Sequence, residues 1–126
     1  MIHAENCLIL EDNPLRYPYL VNLMFEICYP NVRKLVIVTT AEAAKRELSD
    51  GSMWNVIMLD HDLDGKVYTD SEEENNGYQV AKFMVEAKVK YELCIVHTLN
   101  DYAVPKMLKV LKDGTGKAIY KPCVDL

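Results

Sequence analysis

Short apolar runs alternate along the chain with stretches in which apolar residues recur every three or four positions. The runs are CLIL (7–10), LVIV (35–38), NVIMLD (55–60), LCIV (93–96) and AIY (118–120). Runs this short, bounded by polar residues, read as strands buried on both faces, as in a parallel sheet. The stretches between them read as helices. Asn13 suits an N-cap and Pro14 a first helical turn, and Leu20, Leu23, Met24 and Ile27 form a stripe. Pro18 is expected to distort the early turns of this helix, which stops before Pro30. A second helix is predicted over 41–48, opened by a capping box at 39–42 (TTAE) and closed near Gly51. A third covers 77–87, with Val80, Phe83, Met84 and Ala87 inward. A fourth covers 103–112, capped by Asp101 and ended by Gly114 and Gly116. Alternating strand–helix units with right-handed crossovers predict an α/β fold, a parallel sheet covered by helices. Neither repeat nor linker interrupts the pattern, so 1–126 reads as a single domain.

One stretch escapes the pattern. Residues 65–76, GKVYTDSEEENN, have no periodicity and carry Asp70, Glu72, Glu73 and Glu74. They read as a mobile acidic loop, either a solvated charge run or a lid or repulsive gate beside the strand ends. Composition narrows the function classes. The net charge of −5 argues against non-specific binding to DNA or RNA. The first ten residues lack the basic flank and long apolar region of a signal peptide, and no apolar run is long enough to span a bilayer. The four cysteines, Cys7, Cys28, Cys94 and Cys123, are scattered without a CxxC pair. They are expected to be buried, reduced thiols of a cytoplasmic protein, not zinc ligands.

The strand ends carry the chemistry. The first ends in Glu11 and Asp12, the third in Asp60, His61 and Asp62, the fourth in His97, Thr98 and Asn100, and the fifth in Lys121. In open α/β sheets ligands sit just beyond these carboxyl ends. Clustered carboxylates repel unless a cation neutralises them. Glu11, Asp12 and Asp60 are oxygen ligands suited to Mg²⁺, with Mn²⁺ as the alternative. Thr98 offers a hydroxyl and Lys121 a positive charge to an anion. Together they describe a site for a phosphoryl group on a metal.

In order and placement, the acidic pair, Asp60, Thr98 and Lys121-Pro122 resemble the receiver domain of response regulators, over nearly the whole chain. That resemblance implies a flavodoxin-like, three-layer fold with strand order 2-1-3-4-5. It makes Asp60 the phosphoacceptor, Glu11 and Asp12 the metal ligands, and Thr98 and Lys121 the contacts to the phosphoryl group. The sequence also departs from an ordinary receiver. His61 and Asp62 follow Asp60 where an apolar residue is expected. His97 precedes Thr98, Asn100 follows it, and no fifth helix is expected. These departures are similar to the cyclic-phosphate-processing receiver-like domains. The matching motifs are LDHDL at 59–63, VHTLN at 96–100, and Glu11-Asp12 with Arg16. The resemblance implies action on cyclic phosphates, such as nucleotide or RNA 2′,3′-cyclic ends.

Two histidines at neighbouring strand ends suit general acid–base work. One would activate water and the other would protonate the departing ribose oxygen. The bland reading is that each is satisfied by a neighbour, and a third reading has them bind a metal with Asp60 and Asp62. On a regular strand Asp60 and Asp62 project to one side and His61 to the other, so convergence needs a bend. Asp62 could orient a histidine, and Arg16 could clamp a phosphate beside Asn100. The leading expectation is metal-assisted hydrolysis of a cyclic or terminal nucleotide phosphate. Its rivals are a stand-alone receiver phosphorylated on Asp60 and a non-catalytic binder of a phosphorylated ligand.

Overall fold

The apolar runs become the strands of one sheet in the computed structural model, which describes residues 4–28, 32–66 and 68–123. In chain order these are β1 (Ala4–Leu10), β2 (Val32–Val38), β3 (Met53–Leu59), β4 (Lys90–Val96) and β5 (Lys117–Tyr120). All pairings are parallel and the spatial order is β2-β1-β3-β4-β5, as in the flavodoxin-like fold. The strands extend beyond their apolar runs at the amino ends, where polar residues such as Lys90 and Glu92 are exposed.

Four helices cover the sheet: α1 (Tyr17–Ile27), α2 (Ala41–Leu48), α3 (Gly77–Glu86) and α4 (Ala103–Leu111). Three details differ from expectation. A separate 3₁₀ turn, Pro14–Arg16, precedes α1, with the Asn13 side chain accepting from the Leu15 N–H. Pro18 therefore falls second in α1, where no intrahelical N–H bond is lost, and the helix runs on. The cap of α2 is Thr40, not Thr39, because the Thr40 hydroxyl is the one that accepts from Ala43 N–H. At α4 the side chain of Asn100, not Asp101, accepts from the N–H groups of Tyr102 and Ala103.

Alternation along the strands splits the core into two layers. Leu8, Leu10, Ile57, Leu59, Cys94 and Val96 pack under α2, α3 and α4. Cys7, Ile9, Val56, Met58 and Ile95 pack against Leu20, Leu23 and Met24 of α1. All four cysteines are free and buried, as expected. Among the described residues no helix is long and apolar enough to cross a membrane.

Register then places the site. Leu10 is level with Leu59, Leu59 with Val96, and Val96 with Tyr120. The next residues, Glu11, Asp60, His97 and Lys121, thus form a row just past the sheet, and their N–H groups continue the ladder. The start of α3 presses on this row. The Gly77 N–H donates to the His61 carbonyl at 3.0 Å, and a Cβ on Gly77 would overlap the carbonyl oxygen of Asp60.

Candidate functional site

Counting in twos from the α1-side residues Ile9, Met58 and Ile95 gives Glu11, Asp60 and His97. These three are buried on the side of the sheet that faces α1. Each offers a ligand atom, and the three atoms lie within 4.8 Å of one another. Glu11 Oε1 is 3.1 Å from His97 Nε2, and Glu11 Oε2 accepts from the Asn13 N–H. Arg16 approaches Glu11 at 3.5 Å and Asp60 at 3.7 Å, longer than a close charge-assisted hydrogen bond. Asp60 Oδ1 accepts the His61 N–H at 2.8 Å.

Electrostatics separates the two carboxyls. Burial opposes charge on both. At Glu11 it is outweighed by His97, the Asn13 N–H and Arg16, which hold the carboxyl below its ordinary value. At Asp60 burial and the Glu11 charge together push the pKa up to about 8, against the His61 N–H and Arg16. Burial pulls the His97 pKa down despite Glu11, and its Nδ1 is buried without a hydrogen-bond partner. Two buried carboxyls that cannot easily be charged together, with an imidazole beside them, fit a divalent cation. This cluster differs from the expected metal ligands in one member. Asp12 is absent from it, its Oδ2 instead accepting the Gly65 N–H at 2.8 Å.

His61 falls on the other side of the sheet, in line with Ile57 and Leu59. It is fully buried. Its Nδ1 lies 2.9 Å from Asp62 Oδ1 and its Nε2 lies 3.0 Å from Ser71 Oγ. Asn100 Nδ2 donates to Asp62 Oδ1 at 3.1 Å and approaches His61 Nδ1 at 3.3 Å. Asp62 also accepts from the N–H groups of Tyr68 and Thr69. These donors hold its carboxyl below the ordinary range, although burial opposes its charge. His61 and His97 therefore belong to separate networks, and neither lines the open cavity described next. The geometry does not present them as a facing acid–base pair.

The acidic loop is also more tied than expected. The Asn76 side chain donates to the carbonyls of Asp70, Ser71 and Glu73, and its residue bridges to Asp62. Lys66 pairs with Glu73 at 3.6 Å. The loop thus folds back on the LDHDL segment through hydrogen bonds that sequence periodicity cannot reveal.

A cavity of about 640 Å³ opens over the strand ends. Asp12, Arg16, Asp60, Asp62, Thr98 and Asn100 line it, and all six are residues the sequence singles out. The Thr98 hydroxyl accepts from the Asn100 N–H at 3.1 Å, so its own proton can point to a ligand. Lys121 is exposed just past β5 and does not line this cavity. Lys66 and Tyr68 do line it: Tyr68 is a candidate near the site from sequence, although a loop role is the favoured reading there, whereas Lys66 carries no sequence signal because its loop has no motif.

Comparison with known proteins fits this geometry. Residues 8–113 match the family of cyclic-phosphate processing receiver domains. No curated protein matches the chain. Among solved structures, it resembles the N-terminal domain of a response regulator/sensory box/GGDEF protein from Carboxydothermus hydrogenoformans. That match has a TM-score of 0.59 and 19% identity, and covers 96% of this chain and 85% of the other. The MaeR response regulator bound to beryllium trifluoride matches with a TM-score of 0.58 and 21% identity, over 85% and 78% of the two chains. The phosphorylated cyanobacterial phytochrome response regulator RcpA matches at 0.55 and 14%, over 91% and 79%. At such identities these structures establish the shared fold.

Proposed function

Since the chain belongs to the family of cyclic-phosphate processing receiver domains, we propose that it hydrolyses a cyclic phosphodiester of the nucleotide 2′,3′ type with the help of a divalent cation. The observation that carries this reading is the buried Glu11–Asp60–His97 cluster, which reaches the open cavity through Asp60. A cation held by these three would neutralise charge on the phosphate and draw electron density from phosphorus. Arg16 and the Thr98 hydroxyl, both in the cavity wall, bind the non-bridging phosphate oxygens. In the reaction water adds to phosphorus, one ribose P–O bond breaks, and the ribose oxygen takes up a proton. In this reading Asp12, one oxygen of which accepts the Gly65 N–H, takes the water proton. Lys66 is the ammonium in the cavity wall that can supply the other. His61 acts at one remove by fixing Asp62 and Ser71.

The test is hydrolysis of nucleoside 2′,3′-cyclic phosphates with and without Mg²⁺ or Mn²⁺. Turnover is expected only with the metal. Asp60→Asn and His97→Ala are expected to lose more than the ~10–100-fold that an outer-shell partner typically costs. The reading fails if no cyclic ester turns over, or if both variants match the parent rate.

A second reading, phosphorylation of Asp60 itself, is favoured by one observation: Asp60 lines the cavity directly. Incubation with acetyl phosphate and Mg²⁺ would then add one phosphoryl group to the intact mass, and Asp60→Asn would abolish it. An unchanged mass excludes that reading.

A further inference from the structure

We propose that Tyr68 and Tyr102, with the second cavity they wall, form a nucleobase subsite, so that the phosphate site beside it takes a nucleotide and not a base-free cyclic phosphate. The inference rests on the phosphoester reading above and deepens it. The second cavity, about 310 Å³, is bounded by both tyrosines, Thr69, Asp70, Ser71 and Lys106. Tyr68 and Asn100 line both cavities, so one ligand can span from the phosphate floor to the aromatic wall.

The two rings are unlike the core aromatics. Tyr68 is 59% exposed and Tyr102 80%, whereas Trp54 is fully buried. They meet edge to face, with centroids 6.2 Å apart and planes at 67°, which leaves aromatic surface open to a third ring. Their placement is held from beneath. The Tyr68 N–H donates to Asp62 Oδ2 at 2.8 Å, the Tyr102 N–H donates to Asn100 Oδ1 at 3.1 Å, and Asn100 Nδ2 donates to Asp62 Oδ1. One pair, the partly buried Asp62 and the buried Asn100, thus anchors the backbone of both tyrosines. Tyr68 also holds φ at +54°, a conformation that costs free energy for a bulky residue and persists because the Asp62 bond enforces it. Fixing a mostly exposed ring in this way serves no core packing, and it places the ring at the junction of the two cavities.

A base stacked on this wall finds polar groups at its edge. Asp70 and Lys106, both exposed, offer an acceptor and a donor in the same cavity. Aromatic stacking of an unpaired base is the usual way proteins grip single nucleotides.

Calorimetric titration of the full chain in Mg²⁺ tests the subsite without turnover. The probes are adenosine 3′-monophosphate and its base-free analogue, 1,4-anhydroribitol 3-phosphate. The nucleotide is expected to bind about 5- to 150-fold more tightly, the gain of one stacked base. Tyr102→Ala and Tyr68→Ala should bring this ratio near one, and Tyr102→Phe should restore it. Phe25→Ala, an exposed aromatic of α1 outside both cavities, should leave the ratio as it is. Because the Tyr102 side chain makes no capping bond to α4, its loss leaves the helix intact. A parent ratio near one, or a ratio unmoved by Tyr102→Ala, overturns the subsite, as does binding of neither probe. Base-dependent binding without hydrolysis of any cyclic nucleotide upholds the subsite and sinks the phosphoesterase reading. Equal hydrolysis of cyclic nucleotide and base-free ester, with a binding ratio near one, does the reverse.

Discussion

At Asp60 the needs of folding and of chemistry meet in one carboxyl. The metal-free fold keeps it protonated up to about pH 8, because burial and Glu11 oppose its charge, whereas the unfolded chain releases that proton near the ordinary value of 3.8. The native state therefore binds the extra proton between these values. Its stability should fall as pH rises from about 4 toward 8, by up to ~1.4 kcal/mol per pH unit. Thermal melts across this range will show the slope, and Asp60→Asn should flatten it. Mg²⁺ or Mn²⁺ should raise the melting temperature of the parent and not of the variant. His61 behaves differently. Its loss removes one of several partners of Asp62 and the partner of the Ser71 hydroxyl, so His61→Ala should cost ~1–3 kcal/mol in urea denaturation. The site was partly legible at this scale. Glu11, Asp60 and His97 announce themselves as polar groups after apolar strands. Grouping His97 with them, and His61 apart, needs only the period-two count. That Asp12 turns to Gly65 depends on a loop whose path no periodicity encodes.

Elements were legible where burial dictates their composition. Central strands buried on both faces must be apolar throughout, so β1, β3 and β4 stand out at their carboxyl ends. Their amino ends carry residues such as Lys90, which tell nothing of where pairing begins. Caps were harder, because several neighbouring residues could serve: Thr39 and Thr40 at α2, Asn100 and Asp101 at α4. Only backbone geometry decides between them. The start of α3 yields a sharp test. Gly77 lies against the Asp60 carbonyl, and Gly77→Ala must push the helix or the strand end aside. The cost should be ~1–3 kcal/mol or more by denaturant unfolding. An unchanged midpoint would show that α3 does not press on the site.

On the scale of the molecule, the sheet is a partition. The Glu11–Asp60–His97 cluster shares the layer of α1, and the network that holds the aromatic pair starts in the layer of α2, α3 and α4. The two networks meet at the Asp60–His61 peptide, where Asp60 Oδ1 accepts the His61 N–H. Both layers seal their thiols. Burial, helped by Cys28, pushes the Cys7 thiol up to about 12, and burial likewise raises Cys28 and Cys94. The folded protein at pH 8 should scarcely react with an aromatic disulfide reagent, whereas in concentrated urea all four cysteines should be titrated. Rapid labelling without denaturant would mean that a layer opens readily.

The contact between Gly77 and Asp60 also bears on descent. The loop between them is tied to the LDHDL segment through Ser71 and Asn76, so a lineage can alter it only where those contacts are kept. The lineage cannot place a side chain at position 77 without shifting the carbonyl of residue 60 and the carboxylate it carries. The two positions are therefore expected to change together. A descendant that gains any larger residue at 77 is expected to have also surrendered the buried acid at 60, and with it the ancestral chemistry.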